Sequence, residues 1–297
     1  MRTRKNTYIG AHASITPSIL TGLQYIKNIG GNTAQIFLGS NRSATLKQKT
    51  KLTLQDILEI KKYLKEEDIK LIVHSVYLLN FAYYPPTSQR IKYAHDNLQY
   101  DLKYALKLNA KCVVLHFGFA KDLEKKKALD IMVLNLNYII KNMPKGIYLA
   151  LETSAGQGSQ IGYMLDDLEY VWNRIDHHQV GFCLDTAHLF VSGIDISTLK
   201  GIKTYLKDFE KKIGIKNILL FHINDSRYSL GSRHDEHKGL QQGQIFKDNE
   251  GMLSLKYIVK FCRKQHIPIV LETHGAGSYE KEEKSYENEI KILKKMF

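Results

Sequence analysis

Cysteine is scarce: the chain holds three, Cys112, Cys183 and Cys262, an odd number at wide spacing, two of them inside the apolar runs KCVVLHF and GFCLD. A disulfide framework is therefore excluded as the basis of the fold. Long hydrophobic runs are also missing. No window approaches the roughly 18 apolar residues that span a bilayer, and the opening MRTRKNTYIG has basic residues with no apolar stretch behind them, so neither a membrane helix nor a secretory leader is read. KILKKMF at the other end matches no sorting or lipidation signal. The expectation is a soluble, intracellular protein. Only five prolines occur in 297 residues, and no stretch rich in proline, glycine and serine divides them. Acid is in deficit, 30 Asp and Glu against 43 Lys and Arg, for a net charge of +13. That sign suits a polyanionic partner such as nucleic acid, although the same richness in Lys, Ile, Asn and Tyr also follows from AT-rich coding.

What is present in place of those features is a repeating pattern. Eight short apolar runs rich in β-branched residues recur along the chain: TYIGAH, TAQIFL, IKLIVHS, CVVLHFG, GIYLALE, QVGFCLD, NILLFHIN and IPIVLE. Continuous runs of this kind are strands of a parallel sheet covered on both faces. Helical patterns separate them. Thr16 is positioned to cap the first, with Pro17 in its first turn and Ile19, Leu23, Ile26 and Ile29 on one face before Gly30 and Gly31. Thr53 with Asp56 caps the second, and stretches at 88–108, 121–142, 165–175, 196–213, 253–265 and 284–296 supply the rest. Eight strand and helix pairs predict an α/β fold, a single (β/α)8 TIM barrel over residues 1–297, with its active site at the C-terminal ends of the strands. An open doubly wound sheet would place a glycine-rich phosphate loop after its first strand, and IGAHAS is not one.

Seven of the eight runs end at or near a residue of metal-ligand or polar type: His12, His74, His116, Glu152, Asp185, His222 and Glu272. His188 follows Asp185 by three residues, and Asp235 and His237 stand in the loop after the seventh run. Any one alone reads as a hydrogen-bonded core or turn residue. Their common register is what points to a site, because strand ends of a barrel converge on one mouth. Four carboxylates there, Glu152, Asp185, Asp235 and Glu272, would repel one another unless cations were present. Imidazole with carboxylate suits zinc, or else manganese or iron. A catalytic zinc takes about three protein ligands, so nine groups would serve about three ions if one carboxylate bridges. Three dications against four carboxylates leave a positive surplus, which suits a phosphodiester. Metal-assisted phosphodiester hydrolysis is the predicted reaction.

With these residues in view, the sequence resembles the endonuclease IV family of apurinic/apyrimidinic endonucleases along nearly its whole length, through YIGAHAS, HSVYLLN, LETSAGQG, CLDTAHLF and HINDSR to GSRHDEH. The resemblance implies three Zn2+ per chain, with Mn2+ or Fe2+ as alternatives at one or more sites. It implies a first metal on His74, His116 and Glu152, a second on Glu152 as bridge with Asp185, His222 and Glu272, and a third on His188, Asp235 and His237. Glu152 and Glu272 would be the catalytic carboxylates, with a metal-held hydroxide as nucleophile. The substrate would be double-stranded DNA, cut 5′ to an abasic site to leave a 3′-hydroxyl and a 5′-deoxyribose phosphate, with trimming of blocked 3′ ends. Arg42, Tyr77 and Leu78 match positions from which family members enter the duplex, while packing and a solvated charge are the plainer readings. His12, outside the ligand set, would bond to a ligand instead of to a metal.

Two departures from the family pattern stand out. GLQQG puts Gln241 where the first glycine of a Gly-x-Gly turn is expected, and a left-handed conformation there would strain it. A Trp that some members carry after the arginine of the second loop is replaced by Ser43 and Ala44. Arg227 and Arg233, in the loop after the seventh strand, are placed to meet phosphates. The lysines of KDLEKKK and KDFEKKIGIK fit a solvated outer face, and Tyr83 and Tyr84 fit a packed turn. A single-metal sugar isomerase or epimerase on the same barrel is the main rival, but it would use Glu152, Asp185, His222 and Glu272 and leave the other ligands without purpose. A non-catalytic DNA-binding relative would be expected to have lost a ligand. The expected protein is a monomer with no membrane contact.

Overall fold

Each of the eight apolar runs forms a strand in the computed structural model, which describes residues 7–40, 45–176, 178–273 and 279–297. In chain order the elements are β1 (Ile9–His12), α1 (Ile19–Asn28), β2 (Thr33–Phe37), α2 (Leu54–Glu66), β3 (Lys70–His74), α3 (Lys92–Lys107), β4 (Cys112–His116), α4 (Lys125–Asn142), β5 (Tyr148–Glu152) and α5 (Leu165–Trp172). They continue with β6 (Val180–Asp185), α6 (Thr186–Val191), α7 (Leu199–Lys212), β7 (Ile218–His222), β8 (Asp225–Ser226), β9 (His237–Lys238), α8 (Asn249–Gln265), β10 (Ile269–Leu271) and α9 (Tyr279–Lys294). The strands close in the order β1, β10, β7, β6, β5, β4, β3, β2, every pairing parallel. β8 and β9 form a separate antiparallel ribbon.

Period-two alternation sorts the strand residues between two cores. Ile72, Cys112, Val114, Ala150, Cys183, Leu220 and Val270 fill the interior of the ring, and their neighbours, such as Val73, Val113, Leu151, Phe182 and Phe221, pack outward against the helices. Two cysteines are thus barrel lining, and all three are free and buried. The same alternation aims the strand ends. His74, His116, Glu152, Asp185, His222 and Glu272 each stand two residues beyond an interior residue and so continue its face into the mouth.

Local signals explain most helix starts. Thr53 and Asp56 form the capping box read from the sequence. The first helix differs from expectation: it is capped by Ser18, whose Oγ accepts from the Thr21 amide at 3.1 Å, and not by Thr16. Ser18 is the last extended residue before the turn, so only its oxygen faces the free amides. α8 begins four residues earlier than its apolar pattern suggests, at Asn249, because Asp248 caps it through the Gly251 amide. Among the described residues no helix is long and apolar enough to cross a membrane.

Candidate metal centre at the barrel mouth

Strand register brings the chemistry together. His116 pairs with Glu152 across β4 and β5, Asp185 with His222 across β6 and β7, and His12 with Gln35 across β1 and β2. Glu152, fully buried, is the hub. Its Oε2 lies 3.2 Å from both His74 Nε2 and His116 Nε2, and its Oε1 lies 2.9 Å from His222 Nδ1 and 3.5 Å from His188 Nδ1. Glu272 Oε2 stands 3.0 Å from His222 Nδ1. Asp185 caps α6, accepting from the His188 amide at 2.9 Å, and its other oxygen lies 3.8 Å from both His222 Nδ1 and His237 Nε2. Asp235 meets His188 Nε2 at 3.1 Å and His237 Nε2 at 3.4 Å.

Several imidazoles are held from behind. His74 Nδ1 donates to the Ser75 carbonyl at 2.7 Å, His188 Nδ1 to the Thr153 carbonyl at 2.7 Å, and His237 Nδ1 to the Glu272 carbonyl at 3.1 Å. A ring bonded to the backbone through one nitrogen presents the other inward, which is how metal-ligating histidines are oriented. His116 Nε2 and His237 Nε2 are buried without a hydrogen-bond partner, a cost that native proteins rarely leave uncompensated. Potential ligand atoms fall within 4.8 Å of one another in the sets His74, His116, Glu152; Glu152, Asp185, His222, Glu272; and Asp185, His188, His237. Cys183 joins Glu152 and His222 in a further set of the same kind. The residues therefore fit divalent cations, with Glu152 common to three of the four sets.

The electrostatics have the same origin. Burial alone would raise the Glu152 carboxyl, but His116, His222 and His74 overcome it and hold it well below the usual range. Glu272 and Asp235 are likewise depressed against burial, the first by His222 and the second by His188 and His237. His222 and His188 are raised in spite of burial, His222 by Cys183, Glu272 and Glu152, His188 by Asp185 and Asp235. Burial prevails at His12, which falls to about 4 against the pull of Glu272.

Around this centre opens a cavity of about 1100 Å³, lined among others by His12, Tyr77, Phe119, Glu236, Lys238 and Gln242. Tyr77 packs its ring against Phe37, His74 and His116 at centroid distances of 5.3–5.4 Å yet remains 46% exposed, and Leu78 beside it is 52% exposed. Arg42 lies outside the described residues. Arg227 is engaged with Glu236 at 2.7 Å, and Arg233 sits over the Tyr163 ring. The outer lysines behave as solvated or locally paired charges: Lys125 reaches Asp167 at 2.7 Å and Lys212 reaches Asp166 at 2.8 Å. Tyr83 and Tyr84 pack edge to face. Gln241 does adopt the left-handed conformation, at φ 69°.

Sequence reasoning missed two residues. Asn224 donates to Asp185 Oδ2 at 2.6 Å and accepts from the Glu272 amide at 2.7 Å; its signal was its place two residues past His222. Gln35 contacts three residues of the site, and its signal was a lone amide in the apolar run TAQIFL.

Comparison with known proteins is consistent with this geometry. A family model described as a xylose isomerase-like TIM barrel matches residues 23–296. A putative endonuclease 4 of Acanthamoeba polyphaga mimivirus is 32% identical over 277 residues, covering 90% of this chain and 85% of that protein. A probable endonuclease 4 of Protochlamydia amoebophila is 32% identical over 291 residues, covering 97% and 98%. Among solved structures, endonuclease IV from Thermus thermophilus superposes with a TM-score of 0.78 at 22% identity, covering 97% of this chain and 99% of that one. A D-tagatose 3-epimerase-like protein superposes at 0.69 with 17% identity, covering 98% and 97%. At those identities the superpositions speak for the barrel alone, which nucleases and epimerases share; the sequence relatives separate the two.

Proposed function

The chain belongs to the endonuclease IV family, and from that premise we propose that it hydrolyses the phosphodiester 5′ to an abasic site in double-stranded DNA. The products are a 3′-hydroxyl and a 5′-deoxyribose phosphate, and the same site trims blocked 3′ ends. One observation carries the reading: Glu152 is buried at the junction of histidine and carboxylate sets, in a centre where two buried imidazole nitrogens, His116 Nε2 and His237 Nε2, have no hydrogen-bond partner. Such a constellation uses His74, His116, His188, Asp235 and His237 as well as the four residues a single-metal isomerase would need.

The proposed holders are His74, His116 and Glu152 for a first ion, Glu152, Asp185, His222 and Glu272 for a second, and His188, Asp235 and His237 for a third. Three zinc ions are the proposed complement, with manganese or iron as substitutes. When bound, divalent ions supply positive charge for the phosphate oxygens and the leaving oxygen, and acidify water. The chain's own part is arrangement. Glu152 and Glu272 hold their negative charge against burial because imidazoles face them, and the carbonyls of Ser75, Thr153 and Glu272 fix three rings.

Access to the phosphate follows from the lesion. An abasic nucleotide has no base to unstack, so turning it out of the duplex costs least, and the cavity of about 1100 Å³ is open to receive it. Tyr77 and Leu78 are exposed beside the centre and serve as apolar wedges for the gap left behind; the family resemblance adds Arg42 to that role. Arg233 meets the backbone phosphates, and Arg227 does so from its pairing with Glu236. The net charge of +13 draws the polyanion in.

The test is a duplex oligonucleotide with one abasic-site analogue, incubated with the purified protein with and without chelator, beside metal analysis. Incision 5′ to the lesion, a 3′-hydroxyl product, loss with chelator and close to three ions per chain are expected. Intact oligonucleotide with about one ion per chain would overturn the proposal in favour of the isomerase.

A further inference from the structure

β2 is the one barrel strand with no residue of metal-binding type at or just past its end, yet it sends a buried side chain, Gln35, into the centre. Three residues from other strands meet its amide. Gln35 Nε2 lies 2.6 Å from Glu272 Oε1 and 3.2 Å from His12 Nδ1, and Gln35 Oε1 lies 2.8 Å from His222 Nε2. The chemistry of an amide orders these contacts. An ionised carboxylate only accepts, so the atom facing Glu272 is the NH2 group, and its second hydrogen points to His12. The opposite end is then a carbonyl, which only accepts, so His222 carries a hydrogen on Nε2.

We propose that Gln35 is a positioning residue that sets the tautomers of two histidines at once, a role that rests on the metal-dependent reading of the site. His222 keeps its hydrogen on Nε2, so the nitrogen it offers a metal is Nδ1, which faces Glu152 Oε1 and Glu272 Oε2 at 2.9 and 3.0 Å and carries a hydrogen toward them until a metal replaces it. His12 receives the amide hydrogen on Nδ1 and carries its own hydrogen on Nε2. Its ring lines the cavity with 21% of the side chain exposed, so it offers a donor to an anionic phosphate oxygen there. One amide thereby prepares one ring to ligate and another to donate. No other natural side chain both accepts from His222 and donates twice from the same place.

The experiment is nuclear magnetic resonance of protein carrying 15N-labelled histidine, stripped of metal and then titrated with zinc alone, the rings assigned through their own backbones. In the wild type, His222 is expected to hold a hydrogen on Nε2 and His12 to hold none on Nδ1. Gln35→Met, of similar volume, should keep the barrel but release His12, and His222 once zinc is bound, into mixed tautomers, and weaken zinc binding about 10- to 100-fold in competition with a chelator. A His12 hydrogen on Nδ1 in the wild type would overturn the proposal, as would a folded Gln35→Met with unmoved ring signals and unchanged zinc affinity. If that variant does not fold, the wild-type spectra still decide. A wild-type chain that takes up no zinc defeats the metal reading instead, and the His12 ring of the metal-stripped protein then decides the role of Gln35.

Discussion

Lys49 and Asp101 form an ion pair away from the mouth, Nζ to Oδ1 at 2.6 Å, with 3% and 0% of their side chains exposed. Burial pushes the Asp101 carboxyl up to about 6, and the lysine keeps it from rising further. The pair ties the segment after β2 to α3, beside a bond from the Tyr100 hydroxyl to the Thr50 carbonyl. Lys49→Met should cost about 3–5 kcal/mol by leaving a buried carboxylate alone, whereas the double change Lys49→Met with Asp101→Leu should recover most of it. Equilibrium urea unfolding of the three proteins checks this. Gln241 poses the opposite case. Its φ of 69° is held by the bond from its amide to Asp225 Oδ2 at 3.1 Å, a conformation that costs a side-chain-bearing residue about 1–2 kcal/mol. Gln241→Gly should stabilise by about 0.5–1 kcal/mol, the strain relieved less the extra freedom of the unfolded glycine, seen as a rise in the urea midpoint with an unchanged slope.

The loop that carries His237 is organised by one carboxylate. Asp225 Oδ1 accepts the amides of Ser226 and Ile245, both at 2.8 Å, and Oδ2 those of Gln241, Gly243 and Phe246 at 3.1, 3.2 and 3.4 Å. Gly243 fits this nest because a Cβ there would stand 2.4 Å from Asp225 Oδ1. The β8–β9 ribbon then sets His237 opposite Ser226. Asp225→Ala strips acceptors from buried amides at about 1–3 kcal/mol each. It should open residues 239–246 to limited proteolysis and lower the metal content by about one ion, with far-ultraviolet circular dichroism of the barrel kept. This loop marks the boundary of what the sequence discloses. The eight strands and the direction of their end residues follow from a two-residue period, so His74, His116, Glu152, Asp185, His222 and Glu272 were legible as one set. Asp225 was not, because its amide donors come mostly from 16 to 21 residues further on and no local pattern encodes them. Gln35 was hidden differently: its partners lie on β1, β7 and just after β10, which become neighbours only when the ring closes. Thr16 and Ser18 are both capping types, and only the path of the chain makes Ser18 the cap.

The charges of the centre tie the stability of the entire barrel to pH. In metal-free protein His188 and His222 are raised well above their usual value, so their contribution is complete below about pH 6.5 and is lost as pH rises through the raised values. Glu152, Asp235 and Glu272 are depressed, so theirs is complete above about pH 4.5 and is lost as pH falls. The melting temperature of metal-free protein should therefore be highest between those limits and fall on both sides. Zinc should restore the alkaline side, because dications then face the carboxylates where imidazolium protons did; scanning calorimetry across pH with and without zinc measures it. The order of the strands has one further result. β10, which leads into Glu272, seats between β1 and β7, so the ring cannot close until its last strand arrives. While the ribosome is still making it, the protein lacks Glu272 and the carbonyl that holds His237, and no half-made chain has a finished centre. The mouth of the barrel is thus assembled only at the end of synthesis, when the earliest and latest strands meet.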